Sequence, residues 1–117
     1  MVQGRRLSEV AVRHFHEQFN NGQYADIWEQ GEDEFRNMGQ PELIEFLSAV
    51  HRKLGNSRSE SLSNINVTVN TNGTFIVTQY FSNFEQGSAM ETFTWKKHGQ
   101  QLKLYGYNIN SKALILN

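Results

Sequence analysis

The groups best suited to chemistry in this 117-residue chain are its four histidines and a few of its twelve acids. An Asp or His works as a general base when burial moves its pKa toward neutrality. Asp26 is the candidate base, with His14 or His51 assisting and Tyr80 or Tyr107 as hydrogen-bond donor. The plain alternative is that Asp26 marks a helix start and the histidines are partly exposed surface. Glu91 shares strand parity with Phe93 and Trp95. If those two face inward, Glu91 does too, and could hold a polar ligand group or pair with Arg58; otherwise it faces a partner or water.

Other chemistries find no support. His14 and His16 stand at i, i+2 and cannot share a helix face, where paired ligands want i, i+4. Glu17 and His14 at i, i+3 make only one pair. No metal site is assigned. Cysteine is absent, which excludes a thiol nucleophile, a disulfide framework and Cys-ligated zinc. There is no G-x-S-x-G, no P-loop and no G-x-G-x-x-G, so no cofactor is implied.

Aromatic side chains are the other resource. Trp28, Phe35, Tyr80, Phe93, Trp95 and Tyr107 are the candidate ligand-binding set, with Phe81 beside them. Ligand pockets are mostly apolar with a few polar groups. The competing reading is that these rings are simply the core, which a domain this small needs.

Helices must carry the first half of these residues. From about residue 7 to 20, Leu7, Val10, Ala11, Phe15 and Phe19 recur at helical spacing, and Asn20-Asn21-Gly22 is a stop. Tyr24 to Gln30 reads as a short second helix ended by Gly31. Phe35 and Met38 read as plugs under a loop. Pro41 suits a first helical turn, Leu43, Leu47, Val50 and Leu54 form the stripe of the third helix, and Gly55 ends it.

After a polar loop from Asn56 to Glu60 the period changes to two. Ile65, Val67 and Val69 alternate with polar residues, and Asn70-Thr71-Asn72-Gly73 signals a hairpin. Phe75 to Phe84, Met90 to Lys97 and Leu102 to Ile109 complete four strands, with Gly106 suggesting a bulge. Short turns imply an antiparallel meander. The prediction is one α+β domain over residues 1–117: three N-terminal helices packed on a curved four-stranded antiparallel sheet. Apolar residues of both parities, such as Phe75, Val77 and Phe81 against Ile76, Tyr80 and Phe84, predict a sheet covered on both sides, and hence a homodimer. The apolar tail Ala113 to Leu116 could pack on the helices, extend the last strand or join a partner's sheet edge.

Eleven basic residues against twelve acids give a net charge of −1, which argues against nucleic-acid binding. No apolar run approaches the roughly 18 residues of a membrane span. The basic start, Met1 to Arg6, has no apolar stretch after it, so no signal peptide is read in the chain. Either the protein is cytoplasmic, or it is exported to the periplasm or cell surface with its leader removed.

Several segments together resemble the NTF2-like (cystatin-like) superfamily: Phe19-Asn20-Asn21-Gly22-Gln23-Tyr24 with Ile27-Trp28; Phe35; the helix from Leu43 closing on Leu54-Gly55; Tyr80 with Ser82-Asn83-Phe84; Gly87 with Glu91-Thr92-Phe93; and Leu104 to Ile109. More narrowly, they resemble small uncharacterised bacterial domains that often follow a signal peptide or lipoprotein anchor. The resemblance implies a cone with a pocket between helices and sheet, frequent dimers, and export. It hosts enzymes, binding modules and transport factors alike. The reading it supports is a non-enzymatic, dimeric binding or interaction module for a small apolar or amphipathic ligand. The rivals are a small isomerase or dehydratase working through Asp26, and an assembly role carried by the sheet face.

Overall fold

The structure is a computed structural model that describes residues 2–116. Five helices and four strands follow in the order α1 (Val2–Asn20), α2 (Tyr24–Glu29), α3 (Asp33–Arg36), α4 (Gln40–Leu54), β1 (Ser57–Asn70), β2 (Gly73–Phe84), β3 (Gly87–His98), β4 (Gln101–Asn110) and α5 (Lys112–Leu116). The strands form one antiparallel sheet in the order β1-β2-β3-β4. The α+β class and the meander are as expected.

The expected three helices are five among the described residues. Phe35, expected under a loop, is buried within the single turn of α3, and Gly31 packs against its ring. A Cβ at Gly31 would lie 2.5 Å from that ring, so only glycine fits. The tail closes as α5, with Ala113 and Leu114 against the core.

α1 also begins at Val2, ahead of the expected start near residue 7. No proline interrupts that stretch, and Arg5 pairs with Glu9 one turn on. Its buried face is Val12, Phe15 and Phe19, whereas Val10 is exposed.

The predicted loop from Asn56 to Glu60 is a second correction, since β1 starts at Ser57. The Asn20 side chain clamps that start. Its Oδ1 accepts the Ser57 N–H at 2.8 Å, and its Nδ2 donates to the Ser57 carbonyl at 3.1 Å. Gly22 has φ +72 and turns the chain away after α1.

Strand alternation sorts the sheet into two faces. Ile76, Thr78, Tyr80, Ser82 and Phe84 of β2 are all buried toward the helices, as are Glu91, Phe93 and Trp95 of β3. They meet Phe15 and Phe19 of α1 and the α4 stripe Leu43, Leu47, Val50 and Leu54 in one core. Phe75, Val77 and Phe81 lie on the other face, where Phe81 is 45% exposed and Phe75 stacks edge-on against Tyr105. The register slips where Trp95 faces Leu104 but Thr94 faces Gly106, leaving Tyr105 as the extra residue of a bulge.

Candidate functional site

Two features stand apart from ordinary core packing. One is a buried polar cluster and the other is an open cleft. Both are built from α1, which lies over the inner face of the sheet.

The cluster centres on His16. Val12, His16 and Phe19 follow one another at helical spacing on the buried side of α1, and His16 is 3% exposed. Its Nδ1–H donates to Glu60 Oε1 of β1 at 2.8 Å, and its Nε2–H donates to Glu91 Oε1 of β3 at 2.7 Å. Glu91, 1% exposed, also accepts from Ser82 Oγ at 2.6 Å and from the Tyr107 hydroxyl at 2.5 Å. Every buried side-chain polar atom of the cluster is satisfied, as burial requires. Beside it, Tyr80 and Ser8 share a hydroxyl hydrogen bond of 3.0 Å.

The electrostatics follow from that arrangement. Burial by itself pulls the His16 pKa down, but the hydrogen bonds and charges of Glu60 and Glu91 reverse this and push it up to about 9. The Glu60 pKa is lowered, chiefly by its hydrogen bond to His16. The Tyr107 hydroxyl is pushed well above its usual value by burial and by the Glu91 charge. The cluster is therefore an imidazolium held between two carboxylates. Those carboxylates sit on opposite nitrogens of one ring and cannot share an ion. Among the described residues, no group of three His, Cys, Asp or Glu could hold a metal.

The cleft opens between α1 and β4 with a volume of about 400 Å³. Leu7, Val10, Ala11 and Phe15 of α1 line it, with Ile27 from α2, Trp95 from β3, and Leu102 and Leu104 from β4. Its polar groups are His14, Gln18, Gln30, Gln100, Gln101 and Lys103, and no acidic residue lines it. The volume lies in the range of small-molecule sites. A smaller recess of about 240 Å³ is lined by Arg5, Glu9, Arg13, Glu60, Ser61, Leu62 and Tyr80.

The candidate residues read from sequence do not assemble into one site. Asp26 is exposed on α2, and His14 is exposed on α1 at the cleft. His51 is engaged elsewhere: its Nε2–H donates to Asn56 Oδ1 at 2.6 Å, and its Nδ1 accepts the Tyr24 hydroxyl at 2.5 Å. Of the six aromatic candidates, Trp95 lines the cleft, Tyr80 lines the small recess, Phe35 and Phe93 are core, and Tyr107 holds Glu91. Trp28 packs under the Arg36 guanidinium, and its buried indole N–H has no partner. Glu91 does face inward with Phe93 and Trp95, but its partners are His16, Ser82 and Tyr107 rather than Arg58.

Sequence reasoning missed His16 as a site residue, because it took the helix face as centred on Phe15 and Phe19. The Val12–His16–Phe19 spacing was the available signal.

A family model described as "Protein of unknown function (DUF4019)" matches residues 11–107. That span holds His16, Glu60, Ser82, Glu91 and Tyr107, and most of the cleft. No curated protein matches the chain. Among the described residues, no helix is long and apolar enough to cross a membrane.

Proposed function

The chain belongs to the DUF4019 family, and we propose that it is a non-enzymatic binding module of the NTF2-like kind, taking a small amphipathic ligand in the α1–β4 cleft. The observation that carries this reading is the cleft itself. It is open, and its lining combines apolar side chains with amide side chains that can orient a guest.

The isomerase or dehydratase reading is less well supported by the same geometry. Its proposed base, Asp26, is exposed and does not line the cleft. The acid–base groups that do converge are spent on each other: both His16 nitrogens are bonded, and Glu91 is closed to solvent. A general base needs a free lone pair within reach of substrate.

A neutral fluorescent amphiphile, N-phenyl-1-naphthylamine, tests the binding reading. The folded protein is expected to bind it saturably at one site per chain. Ala11→Leu, which adds bulk at the cleft wall, is expected to abolish that binding while the thermal melt stays cooperative. A protein that melts cooperatively and does not bind the probe would overturn the reading.

We also propose that two copies associate through the outer sheet face. Phe75, Val77, Phe81, Met90 and Tyr105 supply apolar surface there among Thr and Asn residues, with Phe81 the most exposed of the aromatic rings on that face.

A further inference from the structure

We infer that the cleft selects an uncharged amphiphile with an amide head, and that the side-chain amides of Gln18 and Gln30 read that head. The inference rests on the cleft being a ligand site.

Gln18 is the unusual wall residue. Its side chain lines the cleft, yet the residue is only 6% exposed. A buried side-chain amide wants its hydrogen bonds met at both ends. One protein bond serves it, Gln18 Nε2 to Gln30 Oε1 at 3.2 Å. Among the described residues no protein donor reaches Gln18 Oε1. That oxygen is not sealed in the interior either, since among the described residues the one buried polar side-chain atom without a partner is the Trp28 nitrogen. It is open to a guest, on a residue that lines the cleft.

The pair accordingly offers a guest an acceptor, Gln18 Oε1, and a donor, an Nε2–H of Gln30. This holds in either amide orientation. Exchanging O and N in both side chains preserves their mutual bond and still leaves an acceptor on one residue and a donor on the other. An acceptor and a donor on two hydrogen-bonded side chains suit an amide head, which carries the complementary N–H and C=O.

Charged heads fit less well. No acid lines the cleft to balance an ammonium. His14 and Lys103 both line the cleft, but His14 is exposed and Lys103 lies beside Lys96 in the sheet register, where water and a like charge surround it. A carboxylate placed at Gln18 would lose its water against Phe15, Leu102 and Leu104. It would also set its oxygens against an acceptor. Burying an unpaired charge costs more than burying a satisfied neutral head.

The test compares octanamide, octanoate and octylammonium as competitors of bound N-phenyl-1-naphthylamine. In the wild-type protein octanamide is expected to displace the probe at about tenfold lower concentration than either ion, the scale of one or two well-met hydrogen bonds. Gln18→Leu is expected to erase the preference for octanamide over the two ions. Gln30→Ala, at an exposed position, is expected to weaken the preference without disturbing the fold. Octanoate or octylammonium displacing as well as octanamide, or a preference unchanged in Gln18→Leu, would overturn the inference and leave the binding reading standing. Absence of probe binding to the folded wild-type protein would overturn both.

Discussion

His16 Nε2 lies 2.7 Å from Glu91 Oε1, and the two side chains are sealed between α1 and the sheet. Together with the Glu60 contact at 2.8 Å, this joins the first helix to β1 and β3 by charge-assisted hydrogen bonds. The arrangement ties helix and sheet together and fixes their register. Fully satisfied buried networks do this, whereas partly satisfied ones are costly.

The cluster makes stability depend on pH. The folded His16 pKa, pushed up to about 9, lies above its ordinary value of 6.5. Its contribution is therefore complete below about pH 6.5 and is lost as the pH rises through about 9. The difference corresponds to on the order of 3 kcal/mol. Glu60, with a lowered pKa, acts in the opposite direction. Its contribution is present above its ordinary value of 4.5 and is lost as the pH falls through the folded value. Urea melts across the pH range should show the highest stability between about pH 4.5 and 6.5, with a fall from there to about pH 9. A flat profile from pH 7 to 10 would contradict the charged state of His16.

Removing the two carboxylates should not cost the same. Glu91 is closed to solvent, so Glu91→Ala strands His16, Ser82 and Tyr107, and about 3–5 kcal/mol of stability should be lost. Glu60 is partly exposed, and water can replace it, so Glu60→Ala should cost about 1–2 kcal/mol. Chemical denaturation of both variants at pH 7 gives the comparison. Equal losses would mean that the two contacts are equivalent.

Asn20 acts as a clamp on the sheet. Asn20→Ala removes both backbone bonds to Ser57, and about 1–2 kcal/mol should be lost. Amide exchange at Ser57 should accelerate before that of the central strands. Unchanged exchange at Ser57 would show that the clamp does not hold the start of β1.

The proposed association through the outer sheet face should depend on its exposed ring. Phe81→Lys should yield monomers at concentrations where the wild-type chain sediments as a dimer, with the thermal midpoint of each folded subunit little changed. A wild-type chain that sediments as a monomer at high micromolar concentration would contradict the dimer.

Much of the fold was legible because its elements follow strong periods. The stripe of Leu43, Leu47, Val50 and Leu54 and the alternation of β2 and β3 are both in the structure. The start of β1 was not legible. Ser57 to Ser61 lie at a sheet edge and carry almost no apolar side chain, so no period of two shows. The site was hidden for a different reason. His16 meets partners 44 and 75 residues away, and only the packing of α1 on the sheet brings them together. Glu91 was half legible, since parity with Phe93 and Trp95 placed it inward but could not name its partner. The cleft was less legible still. Five of the six aromatic candidates fill the core, line the small recess or hold other groups, and much of the cleft wall is aliphatic.

The binding reading is tested most directly by following backbone amide and indole N–H resonances while N-phenyl-1-naphthylamine is added to the folded protein. The account predicts saturable shifts confined to Ala11, Phe15, Gln18, Leu102, Leu104 and the Trp95 indole, with the outer-face residues Val77 and Phe81 unmoved. Shifts centred on Val77 and Phe81, or no saturable shift anywhere, would contradict it.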